Sequence, residues 1–317
     1  STSGLSGCRM TERDPLAGRI LLVLMLGMSF LPLSFSQAIG RTVGRMIRLF
    51  DTRAARVTRT NLEICMPELS ASDRAQLMKE SLEHTGATLM ETPAAWLGAQ
   101  GRVRRWIRCV ENQSLLDDAI ALGDGVIILL PHIGNWELIN VYLAAEGKTV
   151  TGLYAPPNQP YLKPLMSRIR SRFGNELVPT TIKGIATLYR RLQEGRVVVI
   201  LPDQVPATGA FAPFFGVPAL TDTLITRLLR RQSARVVGCV IKRRSDGDGF
   251  DLIFVAPHAD IYHADASIAL RGMNLTVEAC VALAPAQYQW EYKRFKERPS
   301  GERRLYNYNN EPSTHHE

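Results

Sequence analysis

The chain has 317 residues, 45% apolar and 21% charged, which suits one sizeable core or two small ones and excludes a disordered chain. A formal net charge of +8 calls for an anionic partner: a phospholipid surface, a phosphorylated ligand, an acidic protein or nucleic acid. Nucleic acid is disfavoured, because no zinc-finger, aromatic-rich or basic-repeat pattern is present. The five cysteines (Cys8, Cys65, Cys109, Cys239, Cys280) are scattered and form no Cys-x-x-Cys, which argues against a zinc ribbon or a disulfide framework and for reduced thiols in the cytoplasm.

Residues 1–19 read as a flexible lead, with Met10 a candidate start. Residues 20–40 carry no charge and are long enough to span a bilayer, although Ser34, Ser36 and Gln37 make the last third polar. A membrane anchor is the expectation; a core helix, an interfacial segment and a signal peptide are the alternatives. Arg41, Arg45, Arg48, Arg53, Arg56 and Arg59 follow, with only Asp51 among them before Glu63, and such flanks stay on the cytoplasmic side. Five of these (all but Arg53) share roughly one helical face, either a seat on an anionic leaflet or an ordinary solvated face.

Residues 41–317 read as a single domain that begins with this basic helical region. Residues 70–97 are predicted helical, capped by Ser70 or Ser72, with Leu77, Met78, Leu82 and Leu89 at near-helical spacing. Strands and helices then alternate: strand 126–130, helix 137–145, strand 149–154, helix 162–173, strand 177–179, helix 184–193, strand 197–201 and helix 224–231. A hairpin of 235–241 with 250–256 and a long helix over 267–284 complete the chain. The predicted class is α/β, a mixed, largely parallel sheet flanked by helices, with an N-terminal membrane-anchoring helix.

Two strand ends carry the chemistry. The run Val126-Ile127-Ile128-Leu129-Leu130 leads into Pro131-His132-Ile133-Gly134-Asn135-Trp136-Glu137. An imidazole at a strand's C-terminal edge can take a proton from a hydroxyl near neutral pH, and a carboxylate close behind can hold its tautomer. The plainer alternative is a buried, satisfied His132 with Asn135 capping a helix. The second strand end, Val197-Val198-Val199-Ile200-Leu201-Pro202-Asp203-Gln204, mirrors the first and is expected to bring Asp203 to the same rim. Between them lie Arg168, Arg170 and Arg172, either bidentate phosphate or carboxylate ligands or a solvated helix end.

Taken in order, these motifs resemble the late acyltransferases of lipid A biosynthesis, the lauroyl and myristoyl acyltransferases of Gram-negative inner membranes. Asn61-Leu62 with Pro67-Glu68-Leu69, the His132–Glu137 box, Arg170-Ser171-Arg172-Phe173-Gly174, Pro202-Asp203-Gln204, Phe214-Phe215-Gly216 and the Pro285–Lys296 ending are similar to the family's pattern across some 240 residues. Tyr154-Ala155-Pro156 departs from it, where the family has Tyr-Arg-Pro.

The resemblance implies transfer of a fatty acyl chain from an acyl carrier protein thioester to a hydroxyl of a lipid A precursor glycolipid, at the cytoplasmic face of the inner membrane. A thioester is already activated, so no nucleophilic serine or cysteine is required, and no Gly-x-Ser-x-Gly elbow is present. The expected roles are His132 as general base, Glu137 orienting it, and Arg170, Arg172, Asp203 and Asn135 binding substrate. Asp203 can position either Arg170 or a sugar hydroxyl. No metal or cofactor is called for. A phosphatidyl-mannoside acceptor or an acyl-CoA donor is the rival within the same chemistry, and a membrane-anchored lipid-binding protein the rival outside it. Arginines beyond the anchor (Arg102, Arg104, Arg105, Arg227, Arg230, Arg231) are expected to recruit the acidic carrier protein.

Overall fold

Pro32 decides the shape of the N-terminus. Proline has no N–H and a fixed φ, so it starts a helix readily and continues one badly. In the computed structural model, which describes residues 14–154 and 175–306, the uncharged stretch is two helices. α1 is Asp14–Met28 and α2 is Leu33–Leu49, with Pro32 as the N-cap of α2. The single helix expected over 20–40 is therefore two. The apolar part of α1, Gly18–Met28, spans about 16 Å at 1.5 Å per residue, roughly half a bilayer's hydrocarbon. The basic face divides as well: Arg41, Arg45 and Arg48 lie on α2, whereas Arg53, Arg56 and Arg59 lie on α3 (Arg53–Cys65).

α2 packs on α4 (Ala71–Leu97), whose N-cap Ser70 accepts the Asp73 N–H at 3.1 Å. The two backbones touch. A Cβ on Gly44 would sit 2.1 Å from the Leu82 carbonyl oxygen, and one on Gly86 would sit 2.0 Å from that of Gly40. Only glycine permits this approach. The opposite face of α2 is apolar and open to solvent. Phe35, Met46 and Leu49 lie within about 60° of one another at 100° per residue. Phe30 and Phe50, at the two ends of α2, are 77% and 72% exposed.

After α5 (Gln100–Arg104) comes a seven-stranded sheet in the order β1-β9-β8-β2-β5-β3-β4. Its strands are β1 Ile107–Glu111, β2 Val126–Leu129, β3 Val150–Tyr154, β4 Glu176–Pro179, β5 Val197–Ile200, β8 Arg235–Arg243 and β9 Phe250–Val255. All neighbours run parallel except the β8–β9 pair, so β9 and β1 oppose the other five. The expected mixed, largely parallel sheet and the β8–β9 hairpin are present. β1 was not foreseen; neither was the separate hairpin of β6 (Ala210–Phe214) and β7 (Val217–Thr221). Phe215 and Gly216 close that hairpin with positive φ at both positions, as a tight hairpin turn requires.

Burial on both faces explains the unbroken apolar run of β2. Ile127 and Leu129 face the layer formed by α3, α8 (Ile182–Gln193), α9 (Leu224–Arg231) and α10 (Ala266–Leu283). Val126, Ile128 and Leu130 face the layer of α5, α6 (Gln113–Ala121) and α7 (Leu138–Ala145). α10 has the length and hydropathy of a membrane span, yet it is a core helix, with Leu270, Met273, Val277 and Val281 buried. The helix expected over 162–173 falls outside the described residues.

Candidate active site

Equal offsets on neighbouring strands build the site. β2 and β5 pair in parallel with Leu129 opposite Ile200, and the Leu130 N–H extends the ladder to the Ile200 carbonyl at 3.0 Å. His132 and Asp203 each lie three residues beyond that pair. Pro131 and Pro202 precede them, and proline does not continue a ladder as a donor. The two side chains therefore emerge together at the C-terminal rim of the sheet, the edge at which open α/β folds place their ligands.

The contact between them is double. The His132 backbone N–H donates to Asp203 Oδ2 at 2.9 Å, and the ring Nδ1–H donates to Oδ1 at 2.8 Å. Both residues are buried. With Nδ1 carrying the proton, Nε2 keeps its lone pair, and the Gln204 amide donates to it at 3.3 Å. Trp136 meets the imidazole edge-on, with ring centroids 4.8 Å apart. Burial pushes the His132 pKa down, but the charge and hydrogen bond of Asp203, with Glu137 and Glu291 nearby, more than reverse this and leave it above its ordinary value. Burial likewise pushes Asp203 up, and the charge and hydrogen bonds of His132 outweigh it, holding the carboxyl below its ordinary range.

The expected orienting role of Glu137 is corrected by this geometry, because His132 Nδ1 faces Asp203. The Glu137 carboxyl is lifted by burial above its usual range, against the hydrogen bonds of the Trp96 and Trp136 side chains and the charge of His132. Its link to His132 is electrostatic.

Asn135 points away from the cleft. It is fully buried, and its amide donates to Glu91 Oε2 at 3.1 Å. α7 begins only at Leu138, so Asn135 neither caps that helix nor offers free N–H groups; its own N–H goes to the Ile241 carbonyl at 3.2 Å. The placement of Asn135 as a substrate ligand is corrected for that reason. Glu91 is held bidentately by Arg243, at 2.7 and 2.6 Å, and accepts from the Gln37 amide at 2.9 Å. Arg243 also donates to His84 Nδ1 at 2.9 Å and to the Thr88 hydroxyl. This network clamps α2 and α4 to the His132 turn. Gly134, at φ +60, presses that turn onto β8, where a Cβ would sit 1.9 Å from the Ile241 carbonyl oxygen. Nothing in the sequence announces the Glu91–Arg243 pair, since its members are 152 positions apart.

A cleft opens beside His132 between α4 and the segment 287–291. Thr85, Thr88, Leu89 and Thr92, at one-turn spacing, form one wall; Gln287, Tyr288, Gln289 and Glu291 form the other. The two amide N–H groups of Gln204 bridge His132 Nε2 and Gln289 Oε1, the latter at 3.2 Å. Gln204 was visible as a member of the Pro-Asp-Gln motif and Gln289 lay at a variable position of the Pro285–Lys296 ending, after Gln287-Tyr288, both without a role. Arg170 and Arg172 lie outside the described residues.

The pattern of the family described as bacterial lipid A biosynthesis acyltransferase matches residues 16–297. Among the relatives, the lipid A biosynthesis palmitoleoyltransferase of Escherichia coli (strain K12) is 33% identical over 279 residues, covering 84% of this chain and 87% of its own. The lauroyltransferase of the same organism is 31% identical over 274 residues, covering 86% and 88%. Its myristoyltransferase is 27% identical over 284 residues, covering 88% and 86%.

Proposed function

The chain belongs to the bacterial lipid A biosynthesis acyltransferases, and from that premise we propose that it moves a fatty acyl chain from an acyl carrier protein thioester to a hydroxyl of a lipid A precursor. The observation that carries this reading is the Asp203–His132 pair with Nε2 unprotonated toward a cleft. The acceptor hydroxyl displaces the Gln204 amide from Nε2. His132 takes the hydroxyl proton as the oxygen attacks the thioester carbonyl, and Asp203 keeps the resulting imidazolium paired and in orientation. The tetrahedral intermediate collapses by breaking the carbon–sulfur bond, and the departing thiolate takes the proton back from His132. Glu137 stabilises the imidazolium through its charge. No covalent acyl-enzyme is involved. In this reading Arg170 and Arg172 hold an anionic group of the acceptor, as their guanidinium geometry suits.

In this reading the reaction occurs at the inner face of the cytoplasmic membrane. The exposed apolar face of α2 with Phe30 and Phe50, beside a row of arginines, suits a helix lying in the interface of an anionic leaflet. This takes the interfacial alternative for the membrane anchor read from the uncharged stretch. The test is lipid mass spectrometry of cells with and without the chain, followed by assay of the purified protein with a lipid A precursor and either carrier-bound or CoA-bound lauroyl donor. One added acyl chain on the precursor, dependent on His132, is the expected result. Preference for the CoA donor, or acylation of a different glycolipid, would replace those parts of the reading. Lipids unchanged and no transfer in vitro would sink it in favour of a lipid-binding role.

A further inference from the structure

We propose that Glu291, with Thr85 and Gln289, forms a subsite that binds an uncharged hydroxyl of the acceptor beside the one that reacts; this rests on the acyltransferase reading above. Glu291 lines the cleft that holds His132, on the wall opposite α4. One carboxylate oxygen, Oε2, accepts from the Thr85 hydroxyl at 3.1 Å, and the carboxylate also accepts from the Glu291 backbone N–H and the Gln289 side chain. Those contacts fix its direction and leave acceptor capacity toward the cleft, since an ionised carboxylate has about four lone-pair sites.

The subsite is continuous with the base. Gln289 Oε1 accepts from Gln204, and Gln204 also covers His132 Nε2. Asp203, His132, Gln204, Gln289, Glu291 and Thr85 thus form one hydrogen-bonded line, of which His132, Gln289, Glu291 and Thr85 line the cleft. A hydroxyl that displaces Gln204 from Nε2 brings its neighbouring group to Glu291.

Charge defines the ligand. None of the described residues lining the cleft is Lys or Arg. The charges felt at His132 are the carboxylates Asp203, Glu137 and Glu291. A phosphate would meet like charge here, whereas a neutral O–H donor supplies what the carboxylate lacks. Burial raises the Glu291 pKa, against its hydrogen bonds and the charge of His132, the cost of holding a carboxyl partly away from water. The cleft therefore takes a hydroxyl-bearing, uncharged part of a glycolipid, and the acceptor's phosphate lies outside it.

The test is steady-state kinetics of E291Q and E291A with a lipid A precursor and a lauroyl thioester donor, with H132A assayed alongside. Glutamine is nearly isosteric and still accepts from Thr85, so E291Q keeps the proposal testable where E291A fails to fold. Both variants are expected to raise the acceptor KM roughly 10- to 100-fold, the worth of one hydrogen bond to a charged group. The donor KM should stay within about threefold. A folded variant with unchanged acceptor KM, whether or not kcat falls, overturns the subsite. Near-normal turnover of H132A would instead overturn the reading on which the subsite rests, and the two failures are thereby told apart.

Discussion

Asp203 receives both the backbone N–H and the ring Nδ1–H of His132, at 2.9 and 2.8 Å. One carboxylate thus sets the position of the main chain and the tautomer of the imidazole. Two hydrogen bonds to one residue leave the ring little rotational freedom, so Nε2 is held toward the cleft before substrate arrives.

Asp203→Asn is expected to lower kcat by roughly 10²–10⁴, because it removes the charge that stabilises the imidazolium and permits the wrong tautomer. The pH profile gives the sign. The base form of His132 is neutral, so kcat/KM falls as pH drops through a pKa held above its ordinary value. Without Asp203 the downward push of burial prevails, and the acid limb moves to lower pH. Glu137→Gln should shift the limb the same way by less, with a smaller loss of kcat. A larger loss at Glu137 than at Asp203 would reverse the assignment of the orienting carboxylate.

His84 makes acid sensitivity part of the clamp. Burial, then the charges of Arg243 and Arg41, lower its pKa from 6.5 to about 3. The unfolded chain binds a proton in that window and the folded chain does not. Stability is therefore full above pH 6.5 and falls as pH drops toward 3, by about 1.4 kcal/mol per unit. His84→Gln can still accept from Arg243 and does not titrate. Urea unfolding of both proteins at pH 4, 5, 6 and 7 should show a steeper loss in the parent chain. Equal slopes would mean that His84 is not the titrating group.

Membrane seating should depend on the exposed face of α2 rather than on a spanning helix. Deleting residues 1–40 would also strip Gly40 and Gln37 from α4, so substitution is the cleaner test. Changing Phe30, Phe35, Leu49 and Phe50 to Ser removes about 1.5–3 kcal/mol of apolar burial per residue that inserts fully. The variant is expected to leave the membrane fraction, more completely in high salt because the arginine attraction is screened. Retention in 1 M salt would place the anchor elsewhere.

The arginines of α9 are not where a carrier-protein dock beside His132 would stand. α9 ends where β8 begins, and β8 runs parallel to β2, so Arg230 and Arg231 lie toward the rim opposite the site. Arg230 donates to the Ala264 carbonyl at 2.7 Å, and Arg231 stacks 5.5 Å from the Tyr189 ring. Reversing both to Glu is expected to leave the carrier KM within about twofold and to cost stability instead. A salt-dependent rise in KM for the carrier-bound donor alone would restore the docking role.

The strand–proline–polar pattern at His132 and Asp203 was legible from the chain because a strand buried on both faces must be continuously apolar, and polar residues can return only where it leaves the core. The parallel layout, the Ser70 cap, the β8–β9 hairpin and the ordered motifs were legible on similar local grounds. Partnership was not. Glu137 is the nearest acid along the chain, yet Asp203, 71 positions away, holds Nδ1 because parallel register equalises the two offsets. The clamp of Glu91 and Arg243, the inward turn of Asn135 and the approach of Glu291 to the cleft are likewise long-range contacts without a local period. The break at Pro32 was written in the chain, but hydropathy averaged over 21 residues conceals one missing N–H. Local sequence determines which segments are buried and where they stop; which charge meets which base is decided only when separate strands and helices pack, because that meeting depends on register and crossing, which no single segment contains.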